Sequence, residues 1–429
     1  MDKMADVLGR AGAWCGQNKY LSAIKNAFQN FMPLTIAGAI GVLWCNVLVN
    51  ESTGLGIFFK PIMALEFLNP AFQAVNFCTI SCITVGITLG IAQEIGVWNM
   101  GAEKAGYIPG LVGLAAWLSV TNTSHMVEGA KEAFTGIAGN ELGATGLFTG
   151  MIIGVLSVEL FCFFEKQDAL KIKMPEQVPP GVARAFEVLV PATITLIITA
   201  CIGSACYNLT GLYLNDVIKN GIQGPLGAVG ATIPGVMIIY LVIMLFWLVG
   251  IHGNNMLSAV KEALFTPLAL ENVEKFNKGE KPTNIINMYA LQMWGEFGGS
   301  GVTIGLVIAI MIFGKREDNK AIATLSLVPG LFNINETVTF GVPMVLNPIL
   351  GIPFVVAPLI TIIIGYVLTV IGFCPVACLT VPWTTPPIVF GFLACGANVM
   401  GAVTQAILIV VSTVIYTPFL LSLIHISEP

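Results

Sequence analysis

Charge is what this chain has least of. Only 10% of its 429 residues are charged, against 56% hydrophobic, and its mean hydropathy is +0.85. A soluble domain carries roughly a quarter charged residues and could not cover its surface with so few. A soluble enzyme and a disordered chain are therefore excluded. A net charge of −5 gives no basic field, so no nucleic-acid partner is expected. Histidine is nearly missing, at three residues. The ten cysteines form no CxxC pair and lie mostly in apolar runs, which argues against a redox scaffold or a zinc centre. No Lys-Ser or Lys-Thr follows Gly298-Gly299-Ser300-Gly301, so a P-loop is excluded, and no nucleophile elbow is present. The first long apolar run begins near Phe31, too late for a cleavable signal peptide. No cofactor and no metal are expected. What is left is an all-α polytopic membrane protein.

Apolar runs are what the chain has most of. Seven are long enough to cross a bilayer, at about 31–49, 76–96, 106–121, 145–164, 186–207, 232–250 and 402–421. Residues 338–372 hold roughly two more, interrupted by Pro343, Pro348, Pro353 and Pro358, and another lies near 300–314. About ten transmembrane helices result. Residues 1–30 read as an amphipathic helix on the cytoplasmic interface, with Leu21, Ile24, Phe28 and Phe31 at helical spacing and Lys19 and Lys25 between them. Lys3, Arg10, Lys19 and Lys25 place the N-terminus inside. Lys166, Lys171, Lys173 and Arg184 place the 165–184 loop inside, and Lys261, Lys275, Lys278 and Lys281 do the same for a 261–281 loop. A single crossing at 300–314 would leave Lys315–Lys320 outside. Either 284–299 also crosses or one segment is re-entrant.

The two halves differ in texture. Residues 31–230 are mostly ordinary spans and are expected to serve as scaffold and dimerisation surface. Glu94 and Glu159, within apolar runs there, are expected to be paired. Residues 231–421 contain the broken, polar-studded segments GIHGNN, WGEFGGSG, PGLFNINE and VPWTTPP. Such backbone is tolerated at membrane depth only where it lines a cavity, which places the substrate path in this half. No clear inverted repeat links the halves, against the usual signature of a secondary transporter.

Glu336 is the strongest single signal. It lies between the expected breaks at Pro329-Gly330 and Gly341-Val342-Pro343, in a piece too short to span, so a re-entrant hairpin is expected. A carboxylate at membrane depth is costly and is functional or paired. If the piece is helical, Asn333 shares a face with Glu336, and amides beside a carboxylate suit hydroxyl groups; Asn335 belongs to the same set. The alternative is a structural carboxylate capping a half-helix. His252, between Gly250 and Gly253, can bind a sugar hydroxyl or take its proton, or can be satisfied by backbone carbonyls. Asn254 and Asn255 can cap the short helix that follows, and Asn254 is a further binding candidate. Trp247 and Trp383 can stack on a sugar ring or form part of an interfacial belt.

The motifs IHGNNM, WGEFGGSG, GLFNINE, GVPMVLNPILGIPF and VPWTTPP, with KYLSAIKNAFQNFMPLTIAGAI near the N-terminus, resemble the membrane IIC component of a phosphoenolpyruvate-dependent sugar phosphotransferase system, lactose/cellobiose/diacetylchitobiose branch. The resemblance covers nearly the whole chain. It implies ten spans with re-entrant hairpins, a homodimer built through the first half, and elevator-like transport of a β-linked disaccharide across the bacterial inner membrane. It implies that His252 and Glu336 sit at the sugar, and that one of them holds the hydroxyl to be phosphorylated and can act as base. The phosphoryl donor would be a phosphocysteine on a separate IIB protein, supplied in turn by IIA. No IIB-like soluble motif is seen here, so the chain is not expected to phosphorylate alone. Two departures stand out. Thr337 replaces the proline of the usual NINEP, and residues 422–429, SLIHISEP, are unlike the family's charged tail. The rival readings are an ion-coupled sugar symporter, with Glu336 or His252 as proton site, and a membrane enzyme acting alone.

Overall fold

The structure is a computed structural model that describes residues 2–51, 56, 58–125, 133–175, 177–342, 344, 345, 347 and 349–427, with side chains left aside at 2–5, 228, 229 and 423–427. Pro343, Pro348, the final two residues of the tail and the side chain of His425 thus lie outside the description. The principal helices are α1 (Asp2–Gln17), α2 (Lys19–Leu43), α3 (Ile83–Met100), α4 (Ile108–Val120), α5 (Ala144–Glu165), α6 (Pro180–Thr210), α7 (Ile233–Leu248), α8 (Gly253–Asn277), α9 (Met288–Gly295), α10 (Ile304–Phe313), α11 (Glu317–Leu331), α12 (Glu336–Gly341), α13 (Gly351–Val370), α14 (Val389–Ala394) and α15 (Val399–Ser427). Among the described residues, five helices are long and apolar enough to cross a bilayer, and two bent pairs, Lys60–Ser81 with Ile83–Met100 and Met288–Val302 with Ile304–Phe313, can each add a broken span or a re-entrant loop. Shorter apolar helices include Ile108–Val120 and Ile233–Leu248.

Several expectations are corrected. The amphipathic segment over 1–30 is two helices, because the Asn18 side chain accepts hydrogen bonds from the amides of Tyr20 and Leu21 and starts α2 afresh. Residues 19–30 belong to a spanning helix, Lys19–Leu48. Among the described residues, 338–372 yields one helix of spanning length, Gly351–Val370, after the six-residue α12. The 261–281 loop is mostly helix, since α8 continues to Asn277. Its first lysine, Lys261, is only 6% exposed. Pro329 does not end α11: a proline near a helix C-terminus removes one interior hydrogen bond, and the helix continues to Leu331. At the other end of α11, Arg316 hydrogen-bonds Asp318 and holds that carboxyl below its usual range.

The chain forms two compact units, Met1–Gly16 with Ile36–Asn76 and Gly227–Pro429, and Gln17–Thr35 with Phe77–Leu226. The second is built on close helix contact at small residues. A Cβ on Gly150 would lie 2.2 Å from Thr88 Oγ1, and one on Gly113 2.3 Å from the Ala92 methyl, so α3 is packed tightly by both α4 and α5. Ala116, Trp117, Val120 and Ile153 fill the space between α4 and α5. The acidic residues in these spans are paired: Lys19 Nζ lies 2.6 Å from Glu159, Asn26 donates to Glu94, and Glu165 meets both Lys104 and Arg184.

In the other unit, α15 satisfies backbone that its neighbours leave unwound. Ser412 donates to the Val302 carbonyl at 2.8 Å and Tyr416 to that of Gly301 at 2.7 Å. Gln405 donates to the Met293 carbonyl and accepts from the amides of Ile388 and Gly391. In hydrocarbon no water could take these roles.

Replacing Gly150 by Leu tests the tight packing of α3 and α5. The variant is expected to lose about 1–3 kcal/mol of stability from overpacking, read as an earlier thermal unfolding transition in detergent.

Candidate functional site

The site grows from three interruptions of helix. The first lies between α7 and α8. Gly253 opens α8 so close to α7 that a Cβ there would sit 2.0 Å from the Ile243 carbonyl oxygen, so no other residue fits. His252, not the asparagines, caps the 25-residue α8: its Nδ1 accepts from the Asn255 amide at 3.2 Å. In a neutral ring this bond places the hydrogen on Nε2, which faces Glu336 Oε1 at 3.7 Å. The Trp247 indole lies against the imidazole, with ring centroids 4.4 Å apart, and is itself backed by Phe340 and Phe354.

The second interruption separates α9 from α10. Gly299 has φ +88° there, and a Cβ on it would come within 2.6 Å of Asn335 Cβ. Glu296, just after α9, receives the Tyr240 hydroxyl at 2.7 Å and forms a close ion pair with Lys261. Lys261 also donates to Asn254 Oδ1, and Asn254 Nδ2 donates to Ser300 Oγ at 2.8 Å.

The third interruption is the expected NINE segment. Asn333 does not share a helical face with Glu336, because it sits at φ +62°, between α11 and α12. Its amide hydrogen bond to the Gly330 carbonyl, and that of Ile334 to Pro329, close the end of α11 as a Schellman motif with Asn333 in the left-handed position. The freed side chain ties three loops together. Its Oδ1 accepts from the Gly298 amide at 2.6 Å, and its Nδ2 donates to the carbonyls of Trp383 and Thr385. Asn335 is 4% exposed and donates to the Ser300 carbonyl and the Thr339 hydroxyl. Glu336 then begins α12, where a carboxylate is favoured by the amide dipoles.

The structure therefore brings all seven predicted residues into one unit, in two roles. The side chains of His252 and Glu336 are 37% and 46% exposed, and Trp383 is 43% exposed. The amide groups of Asn254, Asn333 and Asn335 are engaged within the protein, and Trp247 is 1% exposed beneath His252. Sequence reasoning missed Tyr240, Lys261 and Ser300. A carboxylate at membrane depth requires a partner, so Glu296 already implied a cation, but the spacing did not say which. Among the described residues no group of three metal-ligating side chains converges.

A donor nitrogen beside a carboxylate, on a cradle of broken helices in a polytopic chain, offers the groups that a polar, hydroxyl-bearing ligand needs. The chain belongs to the phosphotransferase system EIIC family, whose sequence model matches residues 25–358. It is 32% identical over 424 residues to an oligo-beta-mannoside-specific EIIC component of Bacillus subtilis, covering 98% of this chain and 93% of that one. It is 29% identical to a cellobiose-specific EIIC component of Lactococcus lactis, covering 99% and 98%. The crystal structure of ChbC, the IIC component of an N,N'-diacetylchitobiose-specific phosphotransferase system, superposes with a TM-score of 0.87 at 30% identity, over 96% of this chain and 95% of that one. Membership in this family sets aside the ion-coupled symporter.

Asn333 is the test of the cradle. Asn333→Ala removes three side-chain hydrogen bonds and strains a left-handed position, for an expected loss of about 2–4 kcal/mol. Asn333→Gly keeps the backbone and loses only the bonds. Hydrogen exchange over residues 297–301 and 383–386 is expected to rise in both variants, while the thermal transition falls further in Ala.

Proposed function

We propose that this EIIC permease carries a β-linked disaccharide such as cellobiose or diacetylchitobiose, with His252 and Glu336 as the groups that hold the hydroxyl to be phosphorylated. The observation that carries the reading is the division of labour in the site. Of the predicted residues, His252, Glu336 and Trp383 keep open side-chain surface, while the amides of Asn254, Asn333 and Asn335 are occupied in holding the loops. An imidazole N–H and a carboxylate 3.7 Å apart offer one donor and one acceptor, which matches a hydroxyl group that gives and takes a hydrogen bond. The exposed Trp383 indole suits the apolar face of a pyranose ring. Trp247 serves as the floor under His252 rather than as a stacking surface, and Asn254, Asn333 and Asn335 act on the sugar through the loops they fix. The substrate class is supported by relatives named for oligo-beta-mannoside, cellobiose and diacetylchitobiose.

EIIC components work with IIA and IIB phosphocarriers. In our reading the phosphoryl group comes from a phosphocysteine on a IIB partner of this chain. Glu336 acts as base on the accepting hydroxyl, and His252 orients it. The protein sits in the bacterial cell membrane with its N-terminus cytoplasmic, and a homodimer forms through residues 31–230.

Binding of labelled cellobiose to the purified chain in detergent tests this, with unlabelled diacetylchitobiose, lactose and maltose as competitors. Saturable binding is expected, lost in His252→Ala and Glu336→Ala, and weakened about ten-fold in Trp383→Ala if the ring stacks. Glu336→Gln should bind but phosphorylate at least about a hundred-fold more slowly with IIA, IIB and phosphoenolpyruvate present. Equal loss of binding and phosphorylation in Glu336→Gln would make the carboxylate a plain hydrogen-bond partner. A folded protein that binds none of the disaccharides would overturn the substrate class.

A further inference from the structure

We infer that α1 is a positioning strap for His252: its packing on the turn before α8 sets where the imidazole stands. This rests on the reading that His252 meets the sugar. The helix lies against both flanks of that turn. A Cβ on Gly12 would come within 2.9 Å of Ile251 Cδ1 and 3.5 Å of Phe246 Cε1, and one on Gly16 within 4.0 Å of Met256 Cε. Phe246 is in the last turn of α7, Ile251 directly precedes His252, and Met256 is in the first turn of α8. The glycines of one helix therefore face the entry, the turn and the exit.

The turn has little rigidity of its own. Gly250 is left-handed, at φ +81°, and among the described side chains a Cβ on it would meet only Val345, at 3.6 Å. Three backbone bonds, from Val249 and Ile251 to Phe246 and from Gly250 to Trp247, hold the turn from the α7 side. Trp247 supports the imidazole from beneath, and the Asn255 amide fixes its Nδ1. The Ile251 side chain lies against the bare face of Gly12, where a Cβ would crowd its Cδ1 at 2.9 Å. A side chain at residue 12 would displace the Ile251 side chain, and the strap acts on His252 through that neighbour. The Nε2 to Glu336 distance changes as a result. A displacement of about 1 Å at a reacting group can cost on the order of a hundred-fold in rate, so even a small shift is legible.

The neighbouring Gly9 supplies the control, since a Cβ there meets nothing within 4 Å. Four proteins are compared with wild type in detergent: Gly12→Leu, Gly9→Leu, Ile251→Ala and the double variant Gly12→Leu/Ile251→Ala. Two quantities are read. One is the Kd for labelled cellobiose. The other needs no sugar: the rate of diethyl pyrocarbonate modification of His252, followed by mass spectrometry of its peptide. Gly12→Leu is expected to raise Kd about ten-fold and to change the His252 modification rate at least about three-fold, with Gly9→Leu unchanged in both. The double variant should return to within about two-fold of Ile251→Ala, because the smaller side chain makes room for the leucine. Equal behaviour of Gly12→Leu and Gly9→Leu would overturn the inference, as would failure of the double variant to recover. If wild type binds no cellobiose, the substrate reading fails on its own, and the modification rates still decide whether α1 positions His252.

Discussion

Backbone that leaves the helix inside a membrane must find hydrogen-bond partners within the protein, and the whole second half of this chain is arranged around that requirement. Three interruptions carry the site, and each exposes amides and carbonyls that lipid cannot satisfy. Side-chain amides answer them. Asn333 serves Gly298, Trp383 and Thr385 from a single left-handed position, Asn335 reaches Ser300, and Gln405 on α15 covers Met293, Ile388 and Gly391. The charges follow the same rule. Lys261 and Glu296 neutralise each other beneath the site, with Tyr240 closing the carboxylate.

This arrangement explains why a polar site can exist at that depth without dissolving the fold. The groups that meet solvent in the site are few, His252, Glu336 and Trp383, and each is held by something that does not need solvent. The imidazole rests on Trp247 and caps α8, the carboxylate begins α12, and the Trp383 main chain is fastened to Asn333. The His252 and Glu336 side chains are thus presented by helix termini, with a layer of engaged amides behind them, an arrangement suited to placing a ligand accurately.

Much of this was legible in the sequence. Low charge and long apolar runs gave the class of fold, and polar residues between glycines and prolines marked the segments that build the site. Glu336, His252 and Trp383 stood out because each is expensive or unusual where it occurs. What could not be read was which of these side chains stay open and which are spent on the frame. Asn333 looked like a partner of Glu336 on one helical face, and only its left-handed backbone, set by the Schellman end of α11, turns its amide toward Gly298 and Trp383. The buried Lys261 resembled one more member of a basic cytoplasmic loop, because charge counting along a chain says nothing about where a helix such as α8 will end. Trp247 carried the right chemistry for stacking, but burial is a property of the packed fold and not of spacing.

Asn333 grips the loop after Pro382 entirely through main-chain carbonyls, those of Trp383 and Thr385. Any residue supplies a carbonyl, so the frame is indifferent to the side chains it displays at those positions. Indole and hydroxyl there can be exchanged without loosening the cradle, whereas the asparagine cannot. A chain built this way has separated what the loop displays from what holds the loop in place, so its outward chemistry can be rewritten without rebuilding its support.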